Sequence, residues 1–314
     1  MRFFDWQDGV LSKLALKIAI TSSAFGFYKD LESLCKKNNI SIQRNETKKR
    51  FSQNELINFL DDEVCGCICG LEEFDKEIFS RFPNLRYLSR IGVGIDTINQ
   101  TDANNFNVKI LNTPDAPSYA VSEMTVGMVL NISRKISLHC SEMQQKNWRK
   151  YTTEGIEDKT IFIIGFGRIG KKTANLLKNF KCNIIVNDPY TTNIQEFKQS
   201  SLEEGIKSAD IIIIHVNGRD QVLSEKLLFK TKKNVAILNP SRSQNIPENL
   251  ISKFLTKRKD ASFWSDVFDN EPYSGELLNF ESFYGTPHVA SNTSASRVKM
   301  EMEAFENLLK EMIK

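Results

Sequence analysis

The stretch Thr160–Asp188 constrains the fold of this chain more than any other part of the sequence. It begins with five apolar or β-branched residues, a composition typical of a strand buried on both faces of a parallel sheet. A glycine turn and a helical pattern follow, and a second apolar strand ends at Asp188. The turn contains Gly165, Gly167 and Gly170, and the predicted apolar stripe of the helix is Ile169, Thr173, Leu176, Leu177 and Phe180. This order predicts a strand–turn–helix–strand unit of a parallel α/β sheet.

The glycine turn predicts a site for the pyrophosphate of a dinucleotide. Glycines let the backbone approach the ligand closely, and the following helix N-terminus presents N–H groups and partial positive charge. Asp188 stands at the end of the next strand, where a carboxylate accepts hydrogen bonds from the ribose hydroxyls of NAD. The extra phosphate of NADP would meet a like charge there, so the sequence favours NAD. Glycines also mark ordinary turns, and a purely structural turn is the alternative interpretation.

Length and composition place the chain among ordinary globular proteins. Its 314 residues suggest two domains, and its hydrophobic (40%) and charged (26%) fractions are those of a chain that builds buried cores. The net charge of +3 gives no reason to expect nucleic acid as a partner. No apolar run approaches the length of a membrane span and the first residues lack the order of a signal peptide, so we expect a cytoplasmic protein without a membrane partner. Residues 1–15 fit either a short surface helix or an irregular extension.

The cysteines do not predict a metal site. Three of the six alternate in the segment VCGCICG, as Cys65, Cys67 and Cys69. On a strand their side chains would point to one face, and parallel side chains of a single strand do not converge tetrahedrally on one ion. Buried thiols in a reducing compartment are the better interpretation.

Strand and helix patterns alternate along most of the chain, which predicts parallel sheets covered by helices. Phe25–Lys37 is predicted to be a helix. The residues from Pro117 to Trp148 are predicted to form one long helix, which either bridges two domains or lines a subunit contact. A last helix, Ser296–Lys314, has Met300, Ala304, Leu308 and Ile313 on a stripe that can be buried. Because the two ends of the chain look alike, we expect the chain to return to its first domain. We place that domain at residues 1–115 and 287–314, and the second domain at residues 116–286.

Ligands of open parallel sheets bind beyond the carboxyl ends of the strands, and this rule selects among the three histidines. His139 lies inside the long predicted helix, where a surface or packing role is expected. His215 and His288 each follow a predicted strand, as do Arg242 and Glu271. We therefore expect these four side chains at the ligand edge of the second sheet.

Three of these side chains match the needs of one reaction. Hydride transfer between an alcohol and a nicotinamide requires a base for the hydroxyl proton, a cation for the carbonyl oxygen and often a carboxylate that orients the base. His288, Arg242 and Glu271 supply these three groups. A carboxylate partner favours the charged form of a histidine, which helps it to hold the proton. The alternative is that they are three unrelated loop residues.

With these residues in place, the chain resembles the D-isomer-specific 2-hydroxyacid dehydrogenase family, in particular its short D-3-phosphoglycerate dehydrogenase-like members. The matching segments appear in family order across nearly the whole chain: LRYLSRIGVGIDTIN, NTPDAPSYAVSEMTVGMVL, IFIIGFGRIGKK, VNDPY, ADIIIIHV, AILNPSR, SDVFDNEP and TPHVASNT. The resemblance implies a Rossmann-type NAD-binding domain inserted into a discontinuous flavodoxin-like substrate domain. It also implies a cleft that closes on binding, and a homodimer formed through the long-helix region.

The resemblance assigns roles to individual residues. It makes Arg242 the substrate-binding catalytic arginine, Glu271 the acid that partners the histidine, and His288 the proton donor and acceptor. The implied cofactor-binding residues are Gly165, Gly167, Arg168, Ile169, Gly170, Asp188, His215 and Asp266, and the backbone of the turn Arg90–Gly94, with Val93 and Gly94, would bind the substrate carboxylate. Asp266 would hold the nicotinamide amide. Ser243 stands where members usually have glycine, and a positive φ there would strain it.

The expected activity is an NAD-dependent interconversion of a small D-2-hydroxy acid and its 2-keto acid. 3-Phosphoglycerate is the first candidate substrate, and glyoxylate or hydroxypyruvate is the second. Cys69, Gly70 and Leu71 stand where some phosphoglycerate enzymes have arginine, and Lys48, Lys49 and Arg50 are either phosphate partners or a solvated face. A function of another class is an NADH-responsive, corepressor-like binding protein that recruits a partner. It would bind nucleotide without turnover and show a large exposed apolar patch.

Overall fold

The structure is a computed structural model that describes residues 16–191 and 194–313. Residues 1–15, for which two interpretations were weighed above, and Lys314 lie outside this range. Contacts divide the chain into two compact units, one of residues 1–117 and 294–314 and one of residues 118–293. The two domain boundaries predicted from the sequence lie two and seven residues before the boundaries of these units.

The strands and helices alternate along the chain. In chain order the strands are β1 (Leu16–Ile20), β2 (Ile40–Arg44), β3 (Val64–Cys69), β4 (Tyr87–Arg90), β5 (Lys109–Asn112), β6 (Thr160–Ile164), β7 (Asn183–Asn187), β8 (Lys198–Gln199), β9 (Ile211–Ile214), β10 (Ala236–Asn239), β11 (Ser262–Ser265) and β12 (Phe283–Gly285). The helices are α1 (Leu31–Lys37), α2 (Gln53–Phe59), α3 (Lys76–Arg81), α4 (Gln100–Asn105), α5 (Ser118–Arg134), α6 (Ile136–Gln144), α7 (Arg168–Leu177), α8 (Leu202–Ser208), α9 (Glu225–Leu228), α10 (Glu248–Lys257) and α11 (Ser294–Met312).

The first unit contains a five-stranded parallel sheet in the order β2-β1-β3-β4-β5. This is the flavodoxin-like order, as predicted. One face packs against apolar residues of α2, α3 and α4, and the other against α1 and α11, so the strands are apolar on both faces. Cys67 and Cys69 of β3 are fully buried, and burial raises the pKa of the Cys67 thiol to about 12. Both are therefore uncharged packing residues.

The second unit contains a seven-stranded parallel sheet in the order β12-β11-β10-β9-β6-β7-β8. The order reverses between β6 and β9, which is the topological switch point of a Rossmann sheet. Ile161 and Ile163 of β6 face one core and Phe162 and Ile164 face the other. Burying each such side chain contributes about 1.5–3 kcal/mol, so this strand anchors the unit from both sides. The predicted fold class is confirmed, with the second unit inserted into the first.

The prediction of one long helix from Pro117 to Trp148 is wrong, because this region contains two helices, α5 and α6. Lys135 has a left-handed conformation with φ +49° and ends α5, and the side-chain oxygen of Asn131 accepts the N–H of Ser137 at 2.8 Å. That bond satisfies an N–H at the start of α6, so a new helix begins. Trp148 lies beyond the end of α6 and is 78% exposed.

The helix predicted over Phe25–Lys37 has the wrong start, because α1 begins only at Leu31. The carboxylate of Glu301 on α11 accepts the N–H groups of Gly26, Phe27 and Tyr28 at 2.8–3.2 Å. These amides are bound by a distant side chain instead of by carbonyls of a helix, so the segment between β1 and α1 consists of turns and irregular structure. The predicted stripes were also wrong at their ends, since Phe180 is 39% and Ile313 59% exposed.

Candidate active site

The glycine turn lies between β6 and α7, at the carboxyl edge of the second sheet. Gly165 has φ +92°, and a Cβ there would be 2.3 Å from the carbonyl oxygen of His215. A Cβ at Gly170 would be 2.1 Å from the carbonyl oxygen of Gly165, so close packing requires both glycines. At Gly167, by contrast, a Cβ would meet nothing within 4 Å. Gly167 is the N-cap of α7 and no side chain caps that end, so the helix N-terminus is open to an anion.

Asp188 follows β7 and braces this turn. One carboxylate oxygen accepts the N–H of Phe166 at 2.7 Å, and the other accepts the N–H groups of Tyr190 at 2.8 Å and Thr191 at 3.0 Å. Partial burial alone would raise the pKa of Asp188, but these three donors outweigh it and lower the pKa. A charged carboxylate therefore stands next to the glycine turn.

Arg168 and Ile169 form the first turn of α7. Arg168 is exposed, and the carbonyl oxygen of Ile169 accepts the Ser122 hydroxyl of α5 at 3.2 Å. His215 is buried after β9, where its Nε2 lies 2.9 Å from the Thr173 hydroxyl of α7. Burial lowers the pKa of His215 to about 3, so the ring is neutral. The ring holds α7 to the sheet, and a cofactor-binding role for His215 stays a prediction.

His288 and Glu271 form a pair at the carboxyl ends of β12 and β11. The Nδ1 atom of His288 lies 3.0 and 3.2 Å from the two carboxylate oxygens of Glu271, and the N–H of Phe268 donates to Glu271 at 3.0 Å. Burial alone would raise the pKa of Glu271, but the bond from His288, the charge of His288, the Phe268 N–H and the charge of Arg242 together lower it. Because Nδ1 faces the carboxylate, Nε2 of His288 is the nitrogen left for a substrate.

Asp266 holds the loop that carries His288. Its carboxylate, 1% exposed, accepts the Thr286 hydroxyl at 2.5 Å and the N–H groups of Val289 at 3.0 Å and Ala290 at 2.9 Å. His288 itself has φ +52°, a left-handed conformation that costs a non-glycine residue free energy and persists where surrounding bonds fix it. Binding of the nicotinamide amide by Asp266 stays a prediction.

Arg242 lies in the loop after β10, where neighbouring side chains fix its backbone. Its N–H donates to the Asn245 side-chain oxygen at 3.1 Å, and its carbonyl accepts the Asn239 side-chain N–H at 2.8 Å. Ser243, the residue for which strain was expected, begins a short 3-10 helix and is not among the described residues with positive φ. The substitution for glycine therefore causes no backbone strain.

The predicted carboxylate-binding turn, Arg90–Gly94, belongs to the first unit. It follows β4 and is braced by the end of β5, because the Thr113 hydroxyl accepts the Gly92 N–H and the Asn112 side chain donates to the Val93 carbonyl, each at 2.7 Å. A Cβ at Gly92 would be 1.9 Å from Nη1 of Arg90, so the guanidinium folds over that glycine. Val93 and Gly94 are half-buried.

The structure thus brings Arg242, Glu271 and His288 to the ends of three adjacent strands in one unit, and places Arg90, Val93 and Gly94 in the other unit. Sequence reasoning missed the groups that hold these residues in place: Ser243, Gln244, Asn245, Asp269 and Thr286. The Thr286 hydroxyl carried a signal, because it precedes His288 in the segment TPHVASNT. Within the described residues no cluster of three or more His, Cys, Asp or Glu is arranged to hold a metal ion.

Residues 126–290 match the sequence profile of the D-isomer specific 2-hydroxyacid dehydrogenase, NAD binding domain. The chain is 26% identical to a hydroxypyruvate reductase of Thermotoga maritima, with 85% of this chain and 90% of the relative covered. It is 30% identical to a glyoxylate reductase of Thermofilum pendens, with 82% and 81% covered. It is 28% identical to a D-3-phosphoglycerate dehydrogenase of Methanocaldococcus jannaschii, where 80% of this chain spans 50% of the relative.

Two solved structures show the same fold. An acyclic imino acid reductase in complex with NADPH and D-Arg has a TM-score of 0.86 at 21% identity, with 95% of this chain and 97% of that chain covered. An NAD+-bound 3-phosphoglycerate dehydrogenase of Entamoeba histolytica has a TM-score of 0.82 at 21% identity, with 96% of each chain covered. The profile match spans more than half of the chain, and it covers the glycine turn together with the histidine and its carboxylate. The chain therefore belongs to the D-isomer specific 2-hydroxyacid dehydrogenase family and is an NAD-dependent enzyme.

Proposed function

We propose that the enzyme interconverts a small D-2-hydroxy acid and its 2-keto acid, with His288, Glu271 and Arg242 as the reacting set. The observation that carries this proposal is the His288–Glu271 pair at 3.0 Å, with the charge of Arg242 close enough to act on the same carboxylate. NAD, when bound, accepts or returns the hydride. A corepressor-like binding protein would not need the arginine, the glutamate and the histidine together, so the intact set favours the enzyme.

The path of the proton follows from the orientation of the His288 ring, whose Nδ1 faces the carboxylate of Glu271. In the oxidation direction Nε2 of His288 takes the proton of the substrate hydroxyl, and the imidazolium that forms is stabilised by Glu271 through Nδ1. In the reduction direction the same Nε2 returns the proton to the carbonyl oxygen. Arg242 binds the substrate carboxylate and the carbonyl oxygen, where its charge stabilises the negative charge that develops.

The second unit is proposed to hold the cofactor through the groups of the glycine turn. The open N-terminus of α7, with Gly167, Arg168 and Ile169, would face the pyrophosphate, and Asp188 would bind the ribose hydroxyls. The first unit is proposed to bind the substrate carboxylate on the N–H groups of Val93 and Gly94, beside Arg90. The brace from Thr113 and Asn112 supports this role, because it preorganises the turn.

A homodimer through the α5–α6 region is also proposed. No residue of α6 is buried, Ile136, Leu138 and Met143 are 36–54% exposed, and Trp148 beyond the helix is 78% exposed. A helix with several exposed apolar side chains and no buried face fits a surface that a second copy covers.

For the substrate, the first candidate is 3-phosphoglycerate, as the resemblance implies. Relatives of that type and reductases of unphosphorylated acids both match the chain. The basic run Lys48–Arg50 gives this candidate little support, because Arg50 faces Glu73 at 3.7 Å on an exposed surface.

The second candidate is hydroxypyruvate or glyoxylate, and Glu72 favours it. Glu72 follows β3, is 1% exposed and accepts the Gly70 N–H at 2.7 Å. Strand β3 pairs with β4, and the Ile91 N–H donates to the Cys69 carbonyl at 2.9 Å, so this loop borders the turn that is proposed to bind the carboxylate. A phosphate placed there would face this acidic side chain instead of a basic one.

One kinetic panel tests the activity and separates the two candidates. NADH oxidation is followed with glyoxylate, hydroxypyruvate and 3-phosphohydroxypyruvate, for the wild type and for Glu72→Gln. Turnover of at least one acid is expected, and no turnover of any of them would overturn the proposed function. The second candidate predicts a lower kcat/KM for the phosphorylated acid than for hydroxypyruvate and a smaller gap in Glu72→Gln, whereas the reverse order would establish the first.

A further inference from the structure

Asp269 joins two loops of the active site through one carboxylate oxygen. Its Oδ1 accepts the Ser243 hydroxyl at 2.7 Å and the side-chain N–H of Gln244 at 2.8 Å. Hydrogen bonds to a charged acceptor are stronger than neutral ones. The two donors lie about 25 residues from Asp269 along the sequence, so the contact ties the loop after β10 to the loop after β11.

Both ends of this tie are next to reacting groups. Ser243 directly follows Arg242, and Asp269 precedes Glu271 by two residues. On the Arg242 side, hydrogen bonds from Asn239 and to Asn245 fix the backbone of Arg242 within the loop. On the other side, Phe268 and Glu271 are bonded to each other and Glu271 to His288. The bonds from Ser243 and Gln244 to Asp269 therefore set the position of Arg242 relative to the histidine pair.

The hydrogen bonds that form this tie lie outside the buried core of the unit. Asp269 is exposed, and Ser243 and Gln244 are only partly buried. Removing an exposed hydrogen bond costs little folding free energy. A displacement of about 1 Å between reacting groups can, in contrast, reduce the rate as much as a hundredfold.

We propose that Ser243, Gln244 and Asp269 form a positioning set that fixes the arginine loop against the histidine–glutamate pair. The proposal rests on the proposed roles of Arg242 and His288, and none of the three residues needs to touch the substrate. The hydroxyl of Ser243 thus contributes to this positioning set. Glycine, which the family usually has at this position, has no hydroxyl to donate.

Three variants of the full chain test the tie. Asp269→Ala removes the acceptor, the double variant Ser243→Ala with Gln244→Ala removes both donors, and Asp269→Asn keeps an oxygen at the same place. We expect the first two to lower kcat about tenfold and raise the KM of the keto acid. NADH affinity and the thermal midpoint should stay at wild-type values. Asp269→Asn should recover most of the activity, and Glu281→Ala, which removes an exposed carboxylate elsewhere in the unit, serves as the control.

Amide hydrogen exchange adds a readout that does not depend on turnover. Asp269→Ala should speed the exchange of the segment 241–245, and Asp269→Asn should not. Wild-type exchange and kinetics in Asp269→Ala would overturn the tie, as would an Asp269→Asn variant as impaired as Asp269→Ala, since an acceptor oxygen at that place would then not hold the arginine loop. A wild type inactive on every 2-keto acid would instead overturn the proposed function, and the exchange experiment would still decide on the tie.

Discussion

At the scale of single residues, the site depends on carboxylates whose charge is stabilised by defined donors. Asp188 has three backbone donors, and Glu271 has His288 and a backbone N–H. Asp266 is occupied by the loop that it holds. The lowered pKa values of Asp188 and Glu271 keep these two carboxylates ionised at neutral pH, so each can hold its hydrogen-bond donors in a fixed orientation.

Asp188 also gives a prediction about cofactor choice. A carboxylate kept ionised by a lowered pKa repels the 2′-phosphate of NADP, so Asp188→Ser should raise kcat/KM with NADPH relative to NADH by at least about tenfold. Steady-state kinetics with both cofactors on the wild type and the variant measure this ratio. A wild type that already prefers NADPH would contradict the assignment of Asp188 to the ribose.

At the scale of elements, α7 is attached to the sheet through a neutral histidine. The pKa of His215 is about 3 in the folded protein, and an unfolded histidine titrates near 6.5. The unfolded chain thus binds one more proton between these values, so the free energy of unfolding falls as the pH drops through that window. At pH 5 the loss relative to neutral pH is about 2 kcal/mol.

The variant His215→Gln isolates this contribution. Glutamine can still bond to Thr173 but does not titrate, so its unfolding free energy should fall less between pH 7.5 and pH 5 than that of the wild type. Urea unfolding at the two pH values measures the difference. Equal pH dependence in both proteins would show that His215 is not buried in its neutral form.

The elements were predictable from sequence where local pattern decides them. Strand β6 has the predicted bounds, because a run of apolar residues followed by a glycine turn leaves few alternatives. Helix ends were less predictable, since Glu301 and Asn131 reach amides that local pattern does not connect to them. The three side chains that we propose to react could be selected from the sequence because each follows a strand of one sheet. The Asp269 tie was not, because nothing near Asp269 in the sequence points to Ser243.

At the scale of the whole molecule, the chain forms two units, and the second unit is inserted into the sequence of the first. None of the helices in residues 16–191 and 194–313 combines the length and apolar character that crossing a bilayer requires. Within the part of the chain that the structure describes, α6 and the residues just beyond it carry four exposed large apolar side chains, Ile136, Leu138, Met143 and Trp148.

The proposed dimer can be tested by placing charges on that helix. Leu138→Lys with Met143→Lys puts two like charges where apolar contact is expected, so the protein should change from dimer to monomer in light scattering coupled to size exclusion. Lys226→Glu, an exposed change on α9, is the control and should leave the mass unchanged. A monomeric wild type, or a double variant that remains dimeric, would contradict the interface.

The central claim is that the imidazole of His288, oriented by Glu271, exchanges the substrate proton. Its most direct test is the turnover and NADH affinity of His288→Ala, measured on the best acid of the kinetic panel with His139→Ala as the matched control. We expect kcat to fall by at least about a hundredfold with NADH affinity nearly kept, and the control to behave as wild type. Unchanged turnover in His288→Ala would contradict it.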